Sequence, residues 1–280
     1  MRDQTSQRGA SHYRAKKSFG QNFLVDSRVV QRIVNELAPR ADETIIEIGA
    51  GRGALTTLIA ARAGQVFAIE FDRDLVPILR DKFAERDNTR IVEADALEID
   101  FCELIKPAER ARLVANLPYN ISTAILQRLI AQRACLTELL LMLQREVVER
   151  IVAPPNSSER GFLSVLVEAY CEAETLFDVE PEAFRPRPKV WGTIVRLRIR
   201  PRIAAEVADE SLLWRTVSAG FAQRRKTVFN NLRRGAPPDL RACIEAAGGA
   251  ERVLRQSEIE PQRRAETLTL DEWARLSQAF

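Results

Sequence analysis

Residues 45–56 read IIEIGAGRGALT, and this stretch decides the fold. An apolar, β-branched run ends in three closely spaced glycines, Gly49, Gly51 and Gly53, and gives way at once to a helix-forming segment. A strand entering a helix through such a turn is the opening unit of an open α/β sheet, and residues without a side chain let the backbone approach a ligand closely. Outward from it, runs rich in Val and Ile predict strands over Thr44–Ile48, Val66–Glu70, Arg90–Ala94, Arg112–Asn116, Glu138–Leu143 and Thr193–Ile199. Between them Ala54–Ala63, Leu75–Phe83 and Ser122–Arg133 place apolar residues at helical spacing. Strand–helix alternation of this kind predicts an α/β domain with a predominantly parallel sheet. After Pro201 the chain turns Arg-rich and helical in pattern, interrupted by Pro237, Pro238, Gly248 and Gly249. The expected organisation is an α/β domain over residues 1–202, opening with a basic leader (1–20), and a small all-helical domain over 203–280.

Composition narrows the function classes. With 280 residues, 46% hydrophobic and 29% charged, the chain can bury a substantial core. No apolar run approaches the roughly 18 residues of a membrane span, and the N-terminus lacks the apolar centre of a secretory signal. Cys102, Cys135, Cys171 and Cys243 lie far apart without a C-x-x-C pair, so neither a disulfide framework nor a zinc site is expected. His12 is the one histidine, which argues against His-based acid–base catalysis and His-ligated metal. The expectation is a reduced, cytoplasmic, metal-free, monomeric enzyme.

Charge is unevenly spread. Residues 41–100 carry 13 acidic and 7 basic side chains, a local balance of −6. From Glu182 to Glu206 the sequence holds seven basic residues (Arg185, Arg187, Lys189, Arg196, Arg198, Arg200, Arg202) and no acid between them. Residues 221–235, FAQRRKTVFNNLRRG, add five more, including Arg224, Arg225 and Lys226 in an expected helix. An acidic half beside two basic tracts points to a small cationic or neutral ligand in one place and a polyanion in another.

The predicted strand ends carry the chemistry. Glu70, 17 residues past Gly53, is placed to accept hydrogen bonds from the ribose hydroxyls of an adenosine-containing cofactor. Asp95 in VEADAL is placed to accept from an adenine amine, and Asn116 closes the fourth strand. Gly49-Ala50-Gly51-Arg52-Gly53-Ala54 also satisfies the G-x-G-x-x-A dinucleotide pattern, so by itself it fits a nicotinamide enzyme as well. Glu47 and further acids beside the turn disfavour a pyrophosphate and favour S-adenosylmethionine. So does Asn116-Leu117-Pro118-Tyr119. An exocyclic N6 amine of adenine is a poor nucleophile because its lone pair is delocalised into the ring. Two acceptors that hold its N–H groups, the Asn116 side-chain oxygen and a backbone carbonyl near Leu117, favour a pyramidal nitrogen, with Pro118 fixing the backbone. Tyr119 offers a face on which an extruded base can stack. Gln21, Asn22 and Leu24 of the leader are expected over the methionine end of the cofactor. Phe184 is expected against the other face of the base, with Arg185, Arg187 and Lys189 on flanking phosphates.

In order along the chain, KSFGQNFLVD (17–26), IEIGAGRGALT (46–56), AIEFD (68–72), EADAL (93–97), NLPYNIST (116–123), LMLQREVVERI (141–151), FRPRPKV (184–190) and FAQRRKTVFNNL (221–232) resemble the rRNA adenine N6,N6-dimethyltransferases. The resemblance covers nearly the whole chain and leans to the bacterial small-subunit branch rather than the Erm branch, which modifies large-subunit rRNA. It implies a Rossmann-like class I methyltransferase fold with a seven-stranded, predominantly parallel sheet, and S-adenosyl-L-methionine bound by Asn22, Leu24, Gly49, Glu70, Asp95 and Asn116. It further implies dimethylation of two adjacent adenosines in the 3′-terminal hairpin loop of small-subunit (16S) rRNA during ribosome biogenesis. The implied partner is the immature small subunit. Two departures stand out. Gly49-Ala50-Gly51 replaces the common G-P-G, and Trp191-Gly192 replaces small polar residues after PKV. An assembly factor that binds the subunit and whose catalysis is secondary is the alternative of another class.

Overall fold

Residues 15–16, 20–118 and 121–280 are described by a computed structural model. A short strand β1 (Phe23–Leu24) leads into helix α1 (Ser27–Leu37). The Asp26 side chain caps α1 by accepting from the Arg28 amide, and Val30, Ile33, Val34 and Leu37 form its buried stripe at helical spacing. Then β2 (Thr44–Ile48), α2 (Ala54–Ala60), β3 (Gln65–Glu70), α3 (Val76–Lys82), β4 (Thr89–Glu93), α4 (Phe101–Leu104), β5 (Ala111–Asn116), α5 (Ser122–Ala131) and β6 (Leu136–Gln144) alternate. Helices α6 (Arg145–Ile151) and α7 (Phe162–Tyr170) precede β7 (Cys171–Val179), β8 (Phe184–Arg185) and β9 (Gly192–Ile199).

Seven of these strands form one sheet in the order β4-β3-β2-β5-β6-β9-β7. The pairs β2–β3, β3–β4, β2–β5 and β5–β6 are parallel, and β9 returns antiparallel to β6. Strands covered on both faces need apolar side chains in succession, which is why Ile45, Ile46, Val66, Ala68, Leu113 and Val114 read as continuous runs. The order reverses at β2, where β3 lies on one side and β5 on the other. Such a switch point opens a crevice at the carboxyl ends of the strands. In register, Ile48 lies between Ile69 and Ala115, and Asn116 faces Met142, so Gly49, Glu70 and Asn116 all leave the sheet at that edge.

Contacts divide the chain into two compact units. The first takes in the chain to Arg145 together with Glu174–Ile199, and the second takes in Glu146–Ala173 and Arg200–Phe280. The second unit thus opens at Glu146, not at the expected 203: it takes in most of α6, all of α7 and the start of β7 before the chain returns to it at Arg200. In the second unit α8 (Glu210–Gly220), α9 (Val228–Asn230), α10 (Pro238–Ala246), α11 (Ala250–Gln256) and α12 (Leu270–Ser277) complete the chain. Its core centres on Trp273, fully buried and 5.7 Å from the Phe221 ring. Trp214 packs on Phe162 and Tyr170 at ring separations of 5.8 and 5.6 Å, tying α7 to α8. That pairing of distant segments leaves no periodic trace in the sequence. Among the described residues no helix is long and apolar enough to cross a membrane.

Two expectations need correction here. Cys102 and Cys135 are disulfide-bonded across 33 residues, with Cα atoms 5.4 Å apart. The cause is the packing of α4 against the single turn Arg133–Cys135: Gln132 accepts from the Phe101 amide at 2.7 Å and donates to the Ile99 carbonyl at 3.0 Å. The wholly reduced reading therefore fails for this pair. Arg224, Arg225 and Lys226 stand in the turn between α8 and α9, not in a helix. One strand beyond the six expected completes the sheet: residues 171–179, which carry no clear alternation, form the edge strand β7.

Candidate active site

The site grows from the turn after β2. Gly49 and Gly51 both have positive φ, 76° and 58°, a region that side chains with a Cβ rarely enter. A Cβ on Gly49 would lie 3.5 Å from the Asn116 carbonyl, and one on Gly51 would lie 3.2 Å from the Phe23 ring. The two glycines are therefore held against the catalytic-type loop on one side and the leader on the other. The Gly49 and Ala50 amides donate to the Ile69 carbonyl at 2.9 and 3.2 Å, locking the turn onto β3.

Glu70 stands at the end of β3, 6% exposed. One carboxylate oxygen accepts from the Gly51 amide at 2.7 Å and the other from the Asp72 amide at 2.9 Å. Burial pushes its pKa up, against the pull of these two amides. A carboxylate oxygen has two lone-pair sites, so each retains capacity for a ribose hydroxyl. Below it Glu47 is 2% exposed, and burial pushes its carboxyl up to about 7 although Thr56 donates to it at 2.5 Å. Glu47 does not line the cavity.

The leader is pinned over this turn. Gln21 donates to Asp72 at 2.8 Å and accepts from the Lys16 amide at 2.8 Å, while the Lys16 ammonium meets Asp72 at 2.6 Å and Asp74 at 2.7 Å. Those hydrogen bonds, that to Asp72 first, raise the lysine pKa. Asn116 donates through Nδ2 to the Asn22 carbonyl at 3.2 Å, which joins leader and fourth-strand loop directly. The donor half of that amide is thus engaged by the protein, and its oxygen is the half suited to a reacting amine. Leu117 is buried and its amide donates to Met142 O at 3.3 Å, while the Pro118 carbonyl accepts from Ile121 at 3.2 Å. Asp95 accepts from the Leu97 amide at 2.8 Å.

These residues enclose a cavity of about 270 Å³, lined by Gly20–Phe23, Gly49, Gly51, Glu70, Phe71, Asp95, Asn116, Leu117 and Pro118 among others. Its described lining includes two carboxylates and neither lysine nor arginine. Two acceptor carboxylates without a lysine or arginine beside them suit a nucleoside that carries hydroxyls, an amine and a positive charge. Sequence reasoning missed Phe71, 55% exposed and lining the cavity next to Glu70. Its signal was an aromatic placed directly after the ribose acid, where the strand has already ended.

Two placements overturn expectations. Leu24 and Phe184 are paired across β1 and β8, and both are buried in the core with Val179, Ala183 and Ile194 (8% and 1% exposed). Neither side chain lines the cavity. The Phe184 ring anchors its loop rather than presenting a face to a base, because the β1–β8 ladder turns it inward. Tyr119 lies outside the described residues.

The basic tracts separate on closer view. Arg185, Arg187 and Lys189 are exposed; Arg185 donates to the Glu182 and Phe184 carbonyls, and Arg187 pairs with Glu182 at 2.5 Å. By contrast Arg196 is 12% exposed and meets Glu36, Glu138 and Glu174, and Arg198 meets the last two. Arg224 donates to the Ser158 and Arg160 carbonyls, and Arg225 and Lys226 are exposed beside it.

A family model described as ribosomal RNA adenine dimethylase matches residues 12–276. The chain belongs to this family. A ribosomal RNA small subunit methyltransferase A from Hahella chejuensis is 42% identical over 265 residues, covering 95% of this chain and 92% of that protein. One of the same name from a Geobacillus species is 42% identical over 270 residues, with 95% and 91% covered. Among solved structures, the 23S rRNA methyltransferase ErmE superposes with a TM-score of 0.66 at 27% identity, covering 92% of this chain and 99% of that one. A dimethyladenosine transferase from Plasmodium falciparum reaches 0.75 at 21% identity, covering 91% and 95%, and speaks for the fold alone. Family membership and the acid-lined cavity agree in turning the G-x-G-x-x-A ambiguity away from a nicotinamide enzyme.

Proposed function

We propose that this chain dimethylates N6 of two adjacent adenosines in the 3′-terminal hairpin loop of small-subunit rRNA, using S-adenosylmethionine, during assembly of the subunit in the cytoplasm. The observation that carries the reading is that Asn116, Leu117 and Pro118 open onto the same cavity as Gly49, Glu70 and Asp95. The cofactor, when bound, supplies a methyl group on an electrophilic sulfonium. Everything else falls to the chain. Glu70 accepts from the ribose, Asp95 accepts from the adenine amine of the cofactor, and Phe71 covers that end. Gln21 and Asn22 close over the methionine end, supported by Asp72 and Lys16. Asn116 and a neighbouring backbone carbonyl accept from the two N–H groups of the target amine and orient its lone pair in line with the methyl. Alignment of this kind supplies much of the acceleration for a displacement that needs no general base at the outset.

Arg185, Arg187, Lys189, Arg224, Arg225 and Lys226 are the proposed phosphate contacts, and residues 203–280 the proposed ribosome-contacting domain, in a chain that acts as a monomer. The names of the 42%-identical relatives support the small subunit; the ErmE likeness makes large-subunit RNA the reading to exclude. The test is methyl transfer from labelled cofactor to small and large subunits that both lack the modification, followed by nucleoside analysis. Label recovered as N6,N6-dimethyladenosine from the small subunit alone is expected. Label in large-subunit RNA, or in another nucleoside, defeats the assignment.

A further inference from the structure

The loop from Phe184 to Gly192 ends on an aromatic residue to which nothing above gives a task. Trp191 is 43% exposed and its neighbour Val190 38%, two of the five large apolar side chains that stand out on the described surface. A Trp on the surface leaves a large apolar area in water, and its usual reward is a partner with a flat face. The backbone beneath it is fixed. The Trp191 carbonyl accepts from the Arg145 amide at 3.1 Å, and Gly192, buried against Met142, opens β9 opposite Gln144. At the other end of the loop Phe184 is locked in the β1–β8 ladder. Trp191 is therefore a presented side chain on an anchored base.

Its place relative to the reacting loop follows from the ladder. Met142 faces Asn116 on β5, Gln144 lies two residues further along β6, and Gly192 is its partner on β9. With a strand spacing of about 4.8 Å and a rise of about 3.3 Å per residue, the Trp191 and Asn116 Cα atoms are roughly 14 Å apart along the same carboxyl edge. One or two nucleotides of an unstacked strand cover that distance. Exposed cations share the loop and its anchored base: Arg185, Arg187 and Lys189 on the loop, and Arg145, 57% exposed and paired with Asp178 at 3.6 Å, at the start of α6. An aromatic face among exposed cations is the arrangement by which proteins hold single-stranded nucleic acid: bases on the ring, phosphates on the charges.

We propose that Trp191 is a stacking platform for a nucleobase next to the extruded adenosine, so that it holds the neighbour while the target occupies the cavity. This rests on the reading of the chain as an RNA adenosine methyltransferase and adds to it a residue that sets which adenosine is presented. Phe184, buried at the opposite end of the same loop, cannot share the task.

Two measurements on the full-length protein test it. The first does not require methyl transfer: tryptophan emission is titrated with a short adenosine-containing single-stranded RNA. The other two tryptophans serve as background, Trp273 being buried and Trp214 packed between Phe162 and Tyr170. Quenching in the wild type that is absent from Trp191→Phe and Trp191→Ala is expected. The second is steady-state methylation of unmodified small subunits. Trp191→Ala and Trp191→Leu should raise KM roughly five- to hundredfold with kcat within about threefold and the salt dependence of binding unchanged, since stacking releases no counterions. Trp191→Phe, which keeps a ring, should recover most of the KM. The proposal is overturned if the quenching survives in Trp191→Phe and Trp191→Ala, if KM is unchanged in Trp191→Ala, or if Trp191→Leu performs like wild type, which would mean apolar packing without stacking. Quenching without methyl transfer to any rRNA by the wild type would instead count against the function proposed above and leave the platform standing.

Discussion

In the cavity at the carboxyl edge of the sheet, charge is acidic, buried and fixed by backbone donors; in the loop from Arg185 to Trp191 it is basic, exposed and only partly paired. Glu70 takes two amide hydrogen bonds at 2.7 and 2.9 Å, whereas Arg187 holds a single surface partner in Glu182. A buried, pre-oriented carboxylate selects a small ligand by placing acceptors where hydroxyls and amines must sit, because an unmet polar group there is costly. Exposed cations grip a long anion with little shape requirement, and their effect depends on salt. Further along the same basic stretch, Arg196 and Arg198 are neutralised by Glu36, Glu138 and Glu174. Composition alone therefore does not make a nucleic-acid surface. The strand partners decide it.

The comparison predicts that changes in the cavity alter rate or cofactor affinity and leave the salt slope alone, while changes to exposed, open cations do the reverse. The largest effect is expected for Asn116→Ala. Removing an acceptor aimed at the reacting amine should lower kcat about 10²- to 10³-fold while subunit affinity stays near wild type. Single-turnover methylation alongside subunit binding measures both. Near wild-type kcat would remove Asn116 from the chemistry, and loss of subunit binding would make it a structural residue.

Next is Glu47. Its folded-state pKa is raised to about 7 from an ordinary 4.5, so the native state binds more protons than the unfolded state between those values. Stability contributed by the protonated form is therefore full below about 4.5 and falls as pH rises through about 7. Glu47→Gln should flatten that decline and gain on the order of 1–3 kcal/mol over wild type at pH 8, read from denaturant melts across pH. An unchanged pH profile in the variant would mean that Glu47 is charged and compensated in the native state.

Smaller and different in kind is the effect of replacing Arg224, Arg225 and Lys226 together with Ala. The slope of log affinity against log salt should fall by roughly 2 to 3 if all three meet phosphates, with cofactor affinity unchanged. Arg198→Ala, made on a residue already paired with Glu138 and Glu174, should barely move that slope. Equal changes in the two variants would erase the distinction drawn between paired and open cations.

Much of this was legible in the sequence where local pattern and tertiary demand coincide. The six expected strands all appear, most within one or two residues of their predicted ends, because fully covered parallel strands need unbroken apolar runs. Gly49, Gly51, Glu70, Asp95 and Asn116 meet in one cavity because strand ends at a switch point converge whatever lies between them. What stayed hidden depends on partners distant in sequence. Phe184 looked like a stacking face because its neighbours are Pro and Arg, but its inward orientation is set by Leu24, 160 residues earlier. Cys102 and Cys135 meet where Gln132 hydrogen-bonds Ile99 and Phe101 and α4 packs on the turn after α5. The cations of β9 looked open because their acids sit on α1, β6 and β7.

The most direct test of the account is calorimetric titration of the protein with S-adenosylmethionine and, separately, with NAD⁺. The acid-lined cavity predicts binding of the sulfonium nucleoside and none of the dinucleotide, with Glu70→Ala weakening the former about ten- to hundredfold in a variant that remains folded. Binding of NAD⁺ in competition with S-adenosylmethionine, or unchanged S-adenosylmethionine affinity in folded Glu70→Ala, would contradict it.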